Sequence, residues 1–190
     1  MSEKKESSFL NMFVSLTLIC VLSGAILAGA YLLTKDKIAS AASGKAEAAI
    51  RLVLPEFDKV EEKVVEVNGE KIVCSLAYKS DVMVGIAVQS TTKKGYGGEF
   101  KIMAGLLPSG EIHKIKVLKH GETPGLGAKI ETDVFLNQFQ GKNPANYKLQ
   151  VKKDGGDVDA VSAATISSRA FCDALNKAYQ VVLIEKGEQK

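Results

Sequence analysis

The sequence VVEVNGEKIVCSLAYKSDVMVGIAV, residues 64–88, decides the fold. Within it, Asn68-Gly69 separates two runs of alternating apolar and polar residues, and this dipeptide supplies the positive backbone angles of a tight hairpin turn. Alternation with a period of two indicates half-buried strands over 71–78 and 82–88. The stretch therefore predicts the start of an antiparallel meander.

The same periodicities place the elements that follow. Ser80-Asp81 and Pro108-Ser109-Gly110 supply further turns, so five strands are expected before residue 120. The further predicted elements are strands over 100–107, 112–119 and 147–151 and helices over 129–140 and 166–185, the last with one apolar face. The predicted fold class is α+β, with an antiparallel sheet and a long C-terminal helix.

The N-terminal side of this domain is strongly apolar. Residues 9–33 carry no charge, and a membrane-spanning helix needs roughly 20 apolar residues, whereas the apolar part of a cleavable signal peptide has only about 7 to 15. An uncleaved single-pass anchor is expected, followed by an alanine-rich helix that stops near Pro55. The predicted organisation is an N-terminal segment over 1–8, a transmembrane helix over 9–33, a linker helix over 34–58 and one domain over 59–190.

Composition and spacing exclude several classes of site. A net charge of +3 from 25 basic and 22 acidic residues does not predict nucleic-acid binding. The two histidines and three cysteines lack the spacing of metal ligands, and the sequence contains neither a Rossmann glycine fingerprint nor a P-loop. Cys74 and Cys172 each fall on an apolar face, which favours two buried thiols and leaves a disulfide as the alternative.

The stretch Asp159-Ala160-Val161-Ser162-Ala163-Ala164-Thr165 precedes the C-terminal helix. By composition alone it is a helix cap, because helix starts favour Ser and Thr. It also closely resembles the flavinylation motif of FMN-binding domains, which is Asp, two variable residues, Ser or Thr, Gly, Ala and Thr. The resemblance implies that a flavin transferase uses FAD to attach FMN, through its phosphate, to the hydroxyl of Thr165.

The residues around Thr165 have roles by the same resemblance. Asp159, Ser162, Ala163 and Ala164 form the rest of the motif. The family usually has glycine where this chain has Ala163, and alanine lacks glycine's easy access to positive φ. The phosphodiester would lie beside the unpaired N–H groups of the helix that follows, an arrangement that favours an anion.

A second stretch, His120-Gly121-Glu122-Thr123-Pro124-Gly125-Leu126-Gly127, follows a predicted strand. By itself it is a turn. In FMN-binding domains a similar histidine and Glu-Thr-Pro-Gly-Leu-Gly loop lies against the flavin, so Thr123 is expected to hydrogen-bond the ring and Leu126 to cover its face. Glu122 has an alternative role as the partner of a nearby backbone group. The residues assigned to the flavin in this loop are His120, Glu122, Thr123, Pro124, Gly125, Leu126 and Gly127.

A third stretch, residues 94–100, joins two predicted strands through Lys94-Gly95-Tyr96-Gly97-Gly98. By itself it is a flexible connection. A similar glycine-tyrosine-glycine segment occurs in FMN-binding domains, which implies that Tyr96 helps to wall the flavin site.

Taken in order along the chain, these features resemble the G subunits of Rnf-type complexes, which are ion-translocating ferredoxin:NAD oxidoreductases. The homologous C subunits of sodium-pumping NADH:quinone oxidoreductases are similar but usually longer. This resemblance implies an electron relay through covalent FMN, with other membrane and peripheral subunits and a flavin transferase as partners. No catalytic residue and no turnover outside the complex are expected.

The resemblance also implies a place in the cell and leaves rival functions open. The lysines that flank the apolar helix do not determine its orientation. The resemblance implies that the helix spans the cytoplasmic membrane, with residues 1–8 in the cytoplasm and the FMN-binding domain on the extracytoplasmic side. The alternative is a membrane-tethered binding or assembly module without covalent flavin. A small-molecule flavin reductase is less favoured, because the sequence has no substrate-pocket signature.

Overall fold

The structure is a computed structural model that describes residues 9–187. The predicted cytoplasmic segment, residues 1–8, lies outside the described range, as do the last three residues. The chain forms two compact units, which divide between Gly44 and Lys45. Each unit is described by itself.

The first unit is helical. Helix α1 spans Phe9–Val53, so the predicted membrane stretch and the helical part of the linker belong to one helix. It includes a window with a mean hydropathy of 2.2 and is long and apolar enough to cross a membrane. The helix ends two residues before Pro55, as expected where proline cannot continue the hydrogen-bond pattern.

The second unit is built on a five-stranded sheet with the order β1-β2-β3-β4-β5, in which every neighbouring pair is antiparallel. The strands are β1 (Lys59–Val67), β2 (Glu70–Lys79), β3 (Val82–Gly95), β4 (Gly98–Leu106) and β5 (Ile112–Lys119). Asn68 and Gly69 adopt φ values of 50° and 80° in the first turn, and Ser80 and Asp81 adopt 50° and 63° in the second. The predicted meander and its turns are confirmed.

The connection between β3 and β4 is shorter than the sequence suggested. Strand β3 continues to Gly95, which pairs with Gly98, so only Tyr96 and Gly97 form the turn. The predicted flexible connection over 94–100 is therefore mostly strand.

The segment after β5 departs from the sequence prediction. In place of one helix over 129–140, it forms a 3-10 helix at Gly127–Glu131 and one α-helical turn, α2, at Asp133–Leu136. The predicted strand over 147–151 is wrong, because only Val151 pairs, in a single parallel bridge with Val158. Leu149 and Val151 are buried as a strand pattern requires, but the chain turns back through Gly155 and Gly156 before a ladder can form.

Helix α3 spans Thr165–Glu185 and contacts β3, β4 and β1 on one face of the sheet. Its Phe171 is fully buried in an aromatic cluster, with ring centroids 5.0 Å from Phe139, 5.1 Å from Phe135 and 6.0 Å from Phe100. The predicted long C-terminal helix with one apolar face is confirmed, and the α+β fold with it.

The opposite face of the sheet is covered by the last turns of α1. Here Ala49, Ile50, Val53 and Leu54 pack on Ala77, Ala87 and Met103. Glycine makes this approach possible, because a Cβ on Gly105 would lie 2.0 Å from the carbonyl oxygen of Val53.

Two cysteines of the second unit are buried and free. Burial raises the pKa of the Cys74 thiol to about 11 and that of the Cys172 thiol to about 12. Both thiols therefore stay protonated at neutral pH, as buried, unreactive cysteines do.

Candidate functional site

The loop after β5, the β3–β4 turn and the start of α3 meet at one cleft of about 460 Å³. These three segments are distant in sequence but carry the three stretches singled out above. The cleft is lined by Tyr96, Glu122, Thr123, Leu126, Gly127, Ala163, Ala164, Thr165, Ile166 and Ser167. Eight of the thirteen predicted site residues are thus brought together.

The turn before α3 puts Thr165 at the first position of the helix. Ala163 adopts φ 61°, in the left-handed region, and the N–H of Ala164 donates to the carbonyl oxygen of Val161 at 3.0 Å. Ala164, which has no hydroxyl, occupies the N-cap position and makes no side-chain cap bond. The hydroxyl of Thr165 is therefore not an N-cap, because the helix begins at Thr165 and Ala164 is the N-cap residue.

The hydroxyls near Thr165 differ in what they bind. Ser168 is fully buried, accepts from the N–H of Val161 at 3.0 Å and donates to the carbonyl oxygen of Ala164 at 3.0 Å. Ser167 is buried and donates to Glu122. Thr165 is half-buried at the cleft, and within residues 9–187 its hydroxyl has no hydrogen-bond partner. Of these three hydroxyls, Thr165 is the one available for modification.

Glu122 lies inside the wall of the cleft rather than at its mouth. Its side chain is 5 % exposed, its Oε2 accepts from the Ser167 hydroxyl at 2.6 Å, and its Oε1 accepts from the N–H of Gly97 at 3.3 Å. Its own N–H donates to Nδ1 of His120 at 3.1 Å. Glu122 is thus the partner of a backbone N–H, as its alternative role proposed, and it also lines the cleft.

Glycines let the two loops of the cleft touch. A Cβ on Gly97 would lie 1.9 Å from the carbonyl oxygen of Gly121, and a Cβ on Gly121 would lie 2.4 Å from that of Gly97. Such distances are far inside van der Waals contact, so any side chain here would force the loops apart. Gly125 has φ 77°, which turns the chain back at the loop tip.

Five predicted site residues do not line the cleft. His120 is not part of the cleft lining, and its Nε2 is 3.4 Å from the Glu131 carboxylate. Pro124 and Gly125 form the exposed loop tip. Ser162 is exposed in the turn before Ala163, and Asp159 is exposed and pairs with Lys152 at 2.7 Å.

Two lining residues were not among the predicted site residues. Ile166 is 49 % exposed although it is apolar, and Ser167 is the partner of Glu122. An isoleucine that lies off the apolar face of an amphipathic helix was the available signal for the first. Sequence spacing gave no signal for the second.

The cleft combines apolar side chains with the start of a long helix. Its volume is typical of a cofactor site, and Tyr96, Leu126 and Ile166 supply apolar surface. The anionic end would lie at the start of α3, where unpaired N–H groups and the helix dipole favour negative charge. Among the described residues that line the cleft, Glu122 is the one with an ionisable carboxyl, and none is Lys or Arg.

The FMN-binding domain family matches residues 95–180, which include all three segments of the cleft. The class of protein is therefore an FMN-binding domain preceded by an apolar helix. The crystal structure of Shewanella oneidensis NqrC has a similar fold, with a TM-score of 0.50 over 73 % of this chain and 74 % of that one, at 17 % identity.

Relatives over the full length make the assignment specific. The G subunit of the ion-translocating oxidoreductase complex of Pasteurella multocida is 33 % identical over 93 % of this chain and 94 % of its own. The corresponding protein of Methanosarcina acetivorans is 34 % identical over 98 % and 100 %. The G subunit of a proton-translocating ferredoxin:NAD(+) oxidoreductase complex from Clostridium ljungdahlii is 29 % identical over 95 % of both chains. The chain belongs to the family of G subunits of ion-translocating oxidoreductase complexes, which confirms the resemblance found in the sequence.

Proposed function

We propose that this chain is the electron-carrying subunit of a membrane-bound ion-translocating oxidoreductase of the Rnf type, and that it holds FMN in a phosphoester bond to Thr165. The observation that carries the attachment is the Thr165 hydroxyl, which lies at the cleft without a hydrogen-bond partner among residues 9–187. FMN, when bound, supplies one- and two-electron transfer, and the protein supplies its position and surroundings.

Attachment would be a phosphoryl transfer. The oxygen of Thr165 forms a bond to the FMN phosphorus of FAD, the pyrophosphate bond of FAD breaks, and AMP leaves. The hydroxyl proton is released to a base of the transferase. The turn before α3 serves this reaction because it exposes Thr165 while Ser167 and Ser168 are buried and hydrogen-bonded.

The residues of the cleft would then hold the bound group. The apolar side chains of Leu126, Ile166 and Tyr96 would lie against the ring system, and Thr123 would hydrogen-bond its polar edge. The N–H groups of the first turn of α3 would face the phosphate. A covalent bond prevents loss of FMN on the side of the membrane where no flavin pool would replace it.

The topology is part of the proposal. Helix α1 would anchor the chain in the cytoplasmic membrane through residues 9–33, with the linker over 34–58 and the FMN-binding domain over 59–190 on the extracytoplasmic side. Other membrane and peripheral subunits of the complex would be its partners. A phosphatase reporter that works only outside the cytoplasm, fused after the last residue, should be active, and an inactive but intact fusion would overturn this orientation.

The attachment is tested by producing the full chain with a flavin transferase and measuring its intact mass. The wild type and Ser109→Ala should both gain FMN less one water, whereas Thr165→Ala should gain nothing. Ser109 is the control, because it is an exposed hydroxyl in the turn between β4 and β5, outside both the motif and the cleft. An unmodified wild type would instead favour a binding or assembly module, and a modified Thr165→Ala chain would move the acceptor elsewhere.

A further inference from the structure

The buried carboxylate of Glu122 is the most unusual group at the cleft. A carboxylate removed from water is costly unless its oxygens are hydrogen-bonded. Here one hydroxyl and one backbone N–H serve the two oxygens, at 2.6 Å and 3.3 Å. No Lys or Arg lines the described part of the cleft, so no cationic side chain there pairs with this carboxyl group.

The two hydrogen bonds join three segments that are far apart in sequence. Glu122 belongs to the loop after β5, Gly97 to the β3–β4 turn and Ser167 to the first turn of α3. Ser167 lies two residues after Thr165, so the Glu122–Ser167 bond fixes the helical turn that presents the acceptor hydroxyl. The same carboxylate therefore sets the spacing between the two sides of the cleft.

The surroundings of this carboxylate are built to fit it. A Cβ on Gly127 would lie 2.6 Å from Oε2 of Glu122 and 2.7 Å from the Ser167 hydroxyl. A Cβ on Gly95 would lie 2.7 Å from Oε1. Glycines on both sides leave just enough room for the carboxylate, so its position is defined by packing as well as by hydrogen bonds.

We propose that Glu122 is a positioning residue with two effects: through Ser167 it holds Thr165 ready for flavin attachment, and through its buried charge it lowers the reduction potential of the bound flavin. This inference rests on the proposed function. The first effect follows from the geometry, because without the bond the start of α3 loses its link to the flavin loop. The second follows from Coulomb's law, because a nearby negative charge in a poorly solvated site disfavours the addition of electrons.

The charge and the hydrogen bonds can be tested separately. In Glu122→Gln, the amide oxygen can still accept from Gly97 and the amide N–H₂ can donate to Ser167, which removes the charge and keeps the shape. Ser167→Ala removes the bond and keeps the charge. Glu99→Gln is the matched control for charge, because Glu99 is an exposed carboxylate outside the cleft that pairs with Lys119 at 3.3 Å.

Two measurements on the full chain decide the inference, namely the rate of FMN attachment by the transferase and the midpoint potential of the attached flavin. We expect Ser167→Ala to slow attachment about tenfold, since bonds to charged groups are worth a factor of that order. We expect Glu122→Gln to give a more positive potential than the wild type, and Glu99→Gln to match the wild type in both.

The outcomes separate this inference from the proposed function. A wild-type chain that takes up no FMN refutes the proposed function. If the wild type is modified, the two effects are judged separately. A Ser167→Ala chain that takes up FMN at the wild-type rate overturns the positioning effect. A Glu122→Gln chain whose flavin has an unchanged or more negative midpoint potential overturns the electrostatic effect. If Glu122→Gln does not fold, Glu122→Asp takes its place, because aspartate keeps the carboxyl group but has a shorter side chain. Glu122→Asp is expected to slow FMN attachment. Attachment at the wild-type rate would contradict the positioning effect.

Discussion

The two faces of the five-stranded sheet are covered in different ways. On one face, α3 packs through large side chains, and Phe171 lies among Phe100, Phe135 and Phe139. On the other face, the end of α1 packs through Ala49, Ile50, Val53 and Leu54, and the carbonyl oxygen of Val53 lies close to Gly105. The first contact is built from aromatic rings, whereas in the second a helix carbonyl lies close to a glycine of the sheet.

The two faces also differ in what lies beside them. The cleft lined by Thr165 and Leu126 lies at the start of α3, where the loop after β5 and the β3–β4 turn meet. At the α1 contact a Cβ on Gly105 would lie 2.0 Å from the Val53 carbonyl oxygen, and a Cβ on Gly85 would lie 2.8 Å from a methyl carbon of Leu54. The candidate cleft therefore lies at the α3 side of the sheet, whereas the other face packs against residues 49–54 of the same unit.

The aromatic face should show the largest loss of stability. Phe171→Ala removes a fully buried ring and should lower the free energy of unfolding by about 3–5 kcal/mol. Urea unfolding of the full chain in detergent, followed by circular dichroism, measures it. Val134→Ala is the control, because that side chain is 90 % exposed and should cost less than about 0.5 kcal/mol. Equal effects of the two changes would show that the aromatic cluster is not the core.

The close contact on the other face should be the next most sensitive. Gly105→Ala places a methyl group 2.0 Å from the Val53 carbonyl oxygen and should cost about 1–3 kcal/mol, measured by the same unfolding experiment. Flavin attachment to the folded chain should be unchanged, because Gly105 is not part of the cleft. Gly44→Ala is the control, since a Cβ there meets nothing within 4 Å. A loss of attachment in folded Gly105→Ala would show that the two faces are not independent.

A smaller effect of opposite sign is expected at Ala163. A non-glycine residue at φ 61° is strained by about 1–2 kcal/mol, and replacement by glycine relieves this strain. Part of the relief is lost, because glycine has greater conformational freedom in the unfolded chain. Ala163→Gly should therefore raise the stability by up to about 1 kcal/mol, seen as a higher Tm, and should keep flavin attachment. A lower Tm would mean that the Ala163 methyl group contributes packing that outweighs its strain.

The smallest effect is expected at the exposed side of α3. Arg169 forms two hydrogen bonds to Asp154, at 2.6 Å and 2.7 Å, and they hold the pKa of Asp154 below its ordinary value of 3.8. A depressed pKa stabilises the fold above the unfolded pKa, and this contribution is lost as the pH falls through the folded value. The difference in Tm between the wild type and Asp154→Asn should therefore be present at pH 7 and shrink below pH 3.8. A difference that is constant with pH would show that the ion pair has no part in it.

Local signals in the sequence predicted the sheet well. Asn68-Gly69 and Ser80-Asp81 determine their turns through their own backbone preferences, so the hairpins did not depend on distant contacts. The strand prediction over 147–151 was wrong because Leu149 and Val151 are buried in the main core cluster without forming a ladder. Periodicity reports burial and cannot say which element provides it.

The candidate site was only partly readable from the sequence. Thr165 and the loop with Leu126 belong to motifs, and a motif can be recognised in one chain. The bond between Glu122 and Ser167 joins residues 45 positions apart, and its formation depends on how α3 packs on the sheet. The left-handed φ of Ala163 was indicated only by the glycine that FMN-binding domains usually have at this position, since alanine itself gives no signal for it.

The most direct test of the account is peptide mapping of the chain after production with a flavin transferase. The peptide that contains Thr165 should carry the mass of FMN less one water, fragmentation should locate the added phosphate on the Thr165 oxygen, and the peptide with Glu122 should be unmodified. A flavin located on Ser162, Ser167 or Ser168, or on no peptide at all, would contradict the account.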